Sequence, residues 1–182
     1  MTDKMTFHNK IADYVLGNTT SSNLIDIARS GLEEGFESEA LYILSGMNYE
    51  DNSFEIKQYF DQMIGELDIR FPSKLDSALS LIKYYLEKLV QNPDDAFDIM
   101  TLINSLNYSH NEFWKDSNPE LKSEFVGEAL GLHHIQTWYR ELSDFNDGDR
   151  LFYYNDLEPS EQRKKFEEHL LEEATNWLKD FS

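Results

Sequence analysis

Asn52-Ser53-Phe54-Glu55-Ile56-Lys57-Gln58-Tyr59-Phe60-Asp61-Gln62-Met63-Ile64-Gly65-Glu66-Leu67 places apolar side chains at Ile56, Tyr59, Phe60, Met63, Ile64 and Leu67. The spacing is i, i+3, i+4, i+7, i+8, so on a helix these residues form one stripe fit for burial. Asn52, followed three residues later by Glu55, supplies a capping pair at its start. The next segment repeats the logic. It opens at Pro72 and Ser73 and carries Leu75, Ala78, Leu79, Ile82, Leu86 and Leu89 on one face. A link as short as Asp68 to Phe71 predicts that these two helices pack antiparallel.

Working outward, Phe7, Ile11, Tyr14 and Val15 mark a first helix that Gly17 and Asn18 should stop. Leu24, Ile25, Ile27 and Ala28 mark a short second one, and Phe36, Ala40, Leu41, Leu44 and Met47 a third. Three later starts place Pro at the first helical position with acids in the first turn: Asn92-Pro93-Asp94-Asp95, Asn118-Pro119-Glu120 and Glu158-Pro159-Ser160-Glu161. The last lacks a good cap before Pro159, which draws its expected start back toward Asp156. Its stripe runs through Phe166, Leu170, Leu171, Ala174, Trp177, Leu178 and Phe181. Only Leu151 to Tyr154 offers a strand candidate, four residues with no evident partner. The expectation is therefore an all-α chain of about seven or eight helices, a compact multi-helix bundle or α-α superhelix-like array with no significant sheet. Periodicity breaks between Tyr108 and Asn118, suggesting a helical core module over 1–108 and a C-terminal helical extension over 109–182 packed on it, or one domain over 1–182.

Aromatic residues make up 14 % of the chain, enough to build a core despite a modest 40 % hydrophobic content. With 16 basic and 35 acidic residues the formal net charge is −19. Such a field repels phosphate backbones and anionic membranes, so neither nucleic acid nor membrane is an expected partner, whereas a basic protein is. Both stretches share the bias, with 8 basic against 18 acidic residues in 1–108 and 8 against 17 in 109–182. Zero cysteines exclude disulfides, thiolate metal sites and a cysteine nucleophile. The start, Met1-Thr2-Asp3-Lys4-Met5-Thr6, lacks an apolar signal-like run and no long apolar run follows, so the expected location is cytoplasmic.

The pattern Ile11-Ala12-Asp13-Tyr14, Leu24-Ile25-Asp26-Ile27-Ala28, Glu39-Ala40-Leu41, Tyr59 through Leu67 and Lys83-Tyr84-Tyr85-Leu86 resembles small all-helical, largely uncharacterised bacterial proteins, some of immunity-protein type. It covers roughly residues 9–106 and brings no catalytic motif. The resemblance implies a helical fold and, for the immunity type, a protein partner.

Catalytic signatures are missing from the sequence: no G-x-S-x-G, Walker loop, G-x-G-x-x-G or H-E-x-x-H. Asp144-Phe145-Asn146-Asp147-Gly148-Asp149 fails as an EF-hand, because a Gly148 in sixth place puts Phe145 third and Tyr154 twelfth. It reads as an acidic turn in which Gly148 supplies positive φ. His133 and His134 are adjacent and point about 100° apart on a helix, while Trp138 sits four residues after His134, a spacing suited to a local aromatic contact. His8, His110 and His169 are isolated in the sequence. Glu120, Glu124 and Glu128 read as a solvated acidic face, and Arg163-Lys164-Lys165 as the polar side of a helix paired with neighbouring glutamates. No cofactor or metal is expected.

The C-terminal third gathers Phe113, Trp114, Trp138, Tyr139, Phe145, Phe152, Tyr153 and Tyr154. Consecutive aromatics cannot all face one core, so at least one of Tyr153 or Tyr154 should be exposed. Trp138, Tyr139, Tyr153 and Tyr154 with Asp144, Asp147 and Asp149 are the candidate partner-binding residues, beside Asp156; the same stretch also reads as a connecting loop folded back over the helices. The leading expectation is a non-enzymatic acidic binding protein that captures a basic protein partner, an immunity or inhibitor-like factor. One alternative is a helical enzyme or small-ligand protein with a site near His133 or His134, Glu128 and Trp138, and another is a homo-oligomeric structural protein.

Overall fold

A computed structural model describes residues 4–109, 127 and 130–180 of the chain. The described residues form eight α-helices and one short 3-10 turn, with no strand among them, so the fold is all-α. In chain order the helices are α1 (Phe7–Val15), α2 (Asn23–Glu33), α3 (Glu39–Gly46), α4 (Ser53–Glu66), α5 (Lys74–Gln91), α6 (Ala96–Ser109), α7 (His133–Asp147) and α8 (Pro159–Asp180). None of them is long and apolar enough to cross a membrane. The chain divides into two compact units, Met1–Ser80 and Leu81–Ser182. The division falls inside α5, and α6 belongs to the second unit.

In the first unit the α4 stripe is buried as its spacing requires: Ile56, Phe60, Met63 and Ile64 are in the core, with Tyr59 and Leu67 at its edge. They share that core with Phe7, Ile11, Leu24, Ile25, Ile27, Ala40, Leu41 and Leu44. Each such side chain removed from water contributes roughly 1.5–3 kcal/mol before entropy is counted. Helix α2 approaches α1 and α3 closely at Gly31, where an added Cβ would lie 3.1 Å from both Leu41 Cδ1 and Phe7 Cε2.

The ends are closed locally. Thr6 Oγ1 accepts from Asn9 N–H at 3.2 Å and Ser38 Oγ from Leu41 N–H at 3.1 Å. Ser73 Oγ accepts from Asp76 N–H at 3.0 Å and donates to Asp76 Oδ2 at 2.6 Å. Asn52 does cap α4, accepting from Phe54 N–H at 2.9 Å. Gly17, at φ 83°, follows α1 in the left-handed conformation expected of a helix stop.

The major helix pairs of this unit are α2–α3, α3–α4, α1–α2 and α2–α4. The antiparallel α4–α5 pair expected from the short link is not among them. Phe71 in that link instead stands 5.8 Å from the Tyr14 ring, and Ser80 Oγ donates to Asn9 Oδ1 at 2.7 Å, so the beginning of α5 is tied to α1.

In the second unit α7 packs along α8, with α6 against α7. Ile135 and Leu142 of α7 are buried, as are Phe166, Leu170, Ala174 and Trp177 of α8. The Trp177 indole N–H donates to Leu130 O at 2.8 Å, which satisfies the one polar atom that this buried ring carries. Pro93 opens a 3-10 turn over Pro93–Asp95 before α6, and the Asn92 side chain makes no capping bond. Helix α8 begins at Pro159 itself. The Glu158 carbonyl accepts from both Glu161 and Gln162 N–H at 2.9 Å, the first bonds of the helix, so the start is not drawn back to Asp156. The Asn118-Pro119-Glu120 start, the Glu120, Glu124 and Glu128 row, His110, Phe113, Trp114 and Phe181 lie outside the described residues.

Candidate functional site

The connection between α7 and α8 carries the aromatic and acidic residues singled out by the sequence. It begins with a helix stop: Gly148 adopts φ 75°, and Asp149 N–H donates back to Asp144 O at 2.8 Å. That 6→1 bond is the Schellman closure. Among the described residues no three His, Asp or Glu side chains come together to hold a metal.

Beyond the stop the chain is fixed by side chains from both helices. Glu141 of α7, fully buried, accepts Phe152 N–H on Oε2 at 2.9 Å. Gln162 of α8 donates to Tyr154 O at 2.9 Å, and the Tyr154 hydroxyl lies 2.6 Å from His169 Nε2. Tyr154 itself sits at φ 58°, a left-handed conformation uncommon for an aromatic residue and held by these partners. Asn155 Nδ2 donates to Leu151 O at 3.1 Å.

Trp138 fills the space beneath. Its ring stacks on His169 at 4.2 Å and 16° and meets Tyr153 at 5.1 Å, with Tyr154 and Phe166 each 6.4 Å away. His169 Nδ1 lies 3.7 Å from Glu172 Oε2. The outcome is a segment pinned from below whose upper side presents Phe152, 65 % exposed, and Tyr153, 44 % exposed. In sequence, residues 144–161 carry six carboxylates against one arginine, Arg150, and the guanidinium of Arg140 lies 5.4 Å from the Phe152 ring.

The seven predicted residues do not come together in one place. Trp138, Tyr153 and Tyr154 meet in the cluster just described. Tyr139 points elsewhere, toward α6, with its ring 5.4 Å from Phe97 and its hydroxyl 3.1 Å from Thr101 Oγ1. Asp144 lines a polar cleft of about 360 Å³ with Asn104, His133, Gln136, Thr137, Tyr139, Arg140 and Ser143. Asp147 and Asp149 are exposed at the end of α7. The strand candidate Leu151 to Tyr154 is irregular and has no ladder partner among the described residues.

The composite site of His133 or His134, Glu128 and Trp138 is not assembled by the described residues. His133 opens into the cleft and its ring lies 5.4 Å from that of His134, while Trp138 stacks on His169, and Glu128 lies outside the described residues. Sequence reasoning missed Glu141, Gln162 and His169. A signal was present: Glu141 stands at i+3 from Trp138, and Gln162 and His169 flank Phe166 at helical spacing, so all three interrupt apolar stripes with polar side chains.

The basic run on α8 is neutralised within the helix. Arg163 pairs with Glu167 at 2.8 Å, and Lys164 and Lys165 approach Glu168 at 3.8 and 2.9 Å. The hydrogen bond to Glu168 raises the Lys165 pKa, and the same bond holds the Glu168 carboxyl below its usual range. No family model matches the chain, and neither a curated protein nor a solved structure does.

Proposed function

We propose that this is a non-enzymatic acidic binding protein that captures a basic protein partner on the α7–α8 connection, in the manner of an immunity or inhibitor-like factor. One observation carries the reading: side chains of both helices pin the segment that raises Phe152 and Tyr153 into solvent, in a stretch whose sequence is rich in carboxylates. Pinning lowers the ordering cost of association, exposed aromatics supply the anchors, and the surrounding negative charge speeds encounter with a cationic surface. The net charge of −19 favours the same class of partner.

The test is recovery of the partner from native cells at low salt, its identification, and measurement of its affinity at two salt concentrations. A basic partner whose affinity falls with salt is expected, and the double variant Phe152→Ala/Tyr153→Ala should bind about thirtyfold more weakly, as loss of an interface anchor entails. An acidic partner, or a double variant that binds as well as the parent, would remove the reading.

A further inference from the structure

Next to Phe152 is a carboxylate that the segment uses only by half. Glu141 is fully buried and its Oε2 serves Phe152 N–H, but Oε1 is sealed from solvent and accepts no hydrogen bond among the described residues. A buried carboxylate oxygen with no protein donor has exchanged its solvation for little, which is why such atoms are rare and suited to receive one. Among the described residues the cation beside it is Arg140, whose Nη2 stands 3.6 Å from Oε1, too far for a hydrogen bond. Its guanidinium carbon lies 5.4 Å from the centroid of the Phe152 ring, and more than half of the side chain is exposed.

A guanidinium set against an aromatic face and beside a carboxylate is how proteins receive arginine. Arg140 holds that place badly because it is Glu141's neighbour on α7, and consecutive helical side chains diverge by about 100°. Its fork therefore cannot turn squarely onto the carboxylate. A second carboxylate is within its reach on the same helix: Asp144 is four residues on and lines the same polar cleft.

We infer that Phe152 and Glu141 form a receiving site for an arginine of the partner, and that Arg140 is an internal placeholder displaced when that guanidinium arrives. The inference rests on the basic-partner reading and names the side chain recognised. An incoming guanidinium stacks on Phe152 and supplies Oε1 with the N–H donor it lacks. Lysine fits less well, since an ammonium offers no planar face to the ring and no fork to the carboxylate.

The experiment uses the full chain and N-acetylarginine amide as the probe, followed by NMR shifts of the backbone amide at position 152. Arg140→Ala should bind the probe about tenfold more tightly than the parent chain, because it no longer competes with itself. N-acetyllysine amide should bind Arg140→Ala several-fold more weakly than the arginine probe. Adding Glu141→Gln, which keeps an acceptor for Phe152 N–H but removes the charge, should cancel the gain, and circular dichroism checks that this variant is folded. Phe152→Leu, at an exposed position, provides a second route to the same loss. Equal binding by the parent and Arg140→Ala, or undiminished binding after Glu141→Gln and Phe152→Leu, overturns the inference. If the probe fails while a basic partner is still captured through Phe152 and Tyr153, the arginine site falls and the basic-partner reading stands. If the probe behaves as expected and no basic partner exists, the reverse holds.

Discussion

Phe60 of α4 and Trp138 of α7 are both aromatic residues on the inner stripe of a helix, yet they are kept in place by different means. Phe60 is fully buried among apolar side chains, with the Tyr14 ring 4.7 Å away. Trp138 is half-buried, and its neighbours Glu141, Gln162 and His169 each direct a polar atom to the chain that crosses over it. The first arrangement maximises burial. The second gives up some burial in order to fix an irregular segment, and fixed irregular segments are where binding surfaces are usually found.

The difference is broken most severely at Phe60. Phe60→Ala removes a ring from a site with no solvent access and leaves a cavity, so unfolding stability measured in urea should fall by about 3–5 kcal/mol. A loss under about 1 kcal/mol would mean that Tyr14 and the α2 side chains collapse into the space, and that this core is not the rigid partner in the comparison.

A smaller effect is expected at Gln162, the buried amide that holds Tyr154 O at 2.9 Å. Gln162→Ala should cost about 1–2 kcal/mol through the carbonyl left without its donor. The sharper readout is local: with Tyr154 no longer held at φ 58°, the segment loosens and trypsin should cut after Arg150 faster than in the parent chain. Unchanged cleavage would show that Glu141 and His169 suffice, and that the amide is only a core filler.

The contrast also explains what could be read from the sequence. In α4 every buried position announced itself through period, and Asn52, Ser73 and Gly17 announced helix ends, because such signals are complete within one turn of chain. The division inside α5 left no trace, since the stripe of Ala78, Ile82, Leu86 and Leu89 runs unbroken across Ser80 and Leu81. At the candidate site the aromatics were legible as a surplus that one core cannot hide, and Tyr153 is indeed exposed. Their fixing groups were not. Tyr154 meets partners 8 and 15 residues away across a turn, and its left-handed backbone has no glycine to advertise it. His169 looked isolated because its neighbours, Trp138 and Tyr154, are brought to it only by the pairing of α7 with α8.

The smallest effect tests the first unit where its polar chemistry does cross between helices. Glu66, at the end of α4, accepts Ala40 N–H at 2.8 Å and Gln62 Nε2 at 2.7 Å, so a carboxylate from one helix serves a free donor at the start of α3 beside the Ser38 cap. The bond from Ala40 and then that from Gln62 hold the Glu66 carboxyl below its ordinary value of 4.5. A depressed carboxyl in the folded chain means that the unfolded chain takes up a proton first. The contribution is therefore present above the ordinary value and is lost as pH falls through the depressed one. Glu66 is exposed, so the effect is small and weakens with salt. Denaturation of the parent chain and of Glu66→Gln across the acid range should give curves that separate above the ordinary value and converge below the depressed one; a gap that stays constant with pH would mean that the capping bond, not the charge, is what α3 uses.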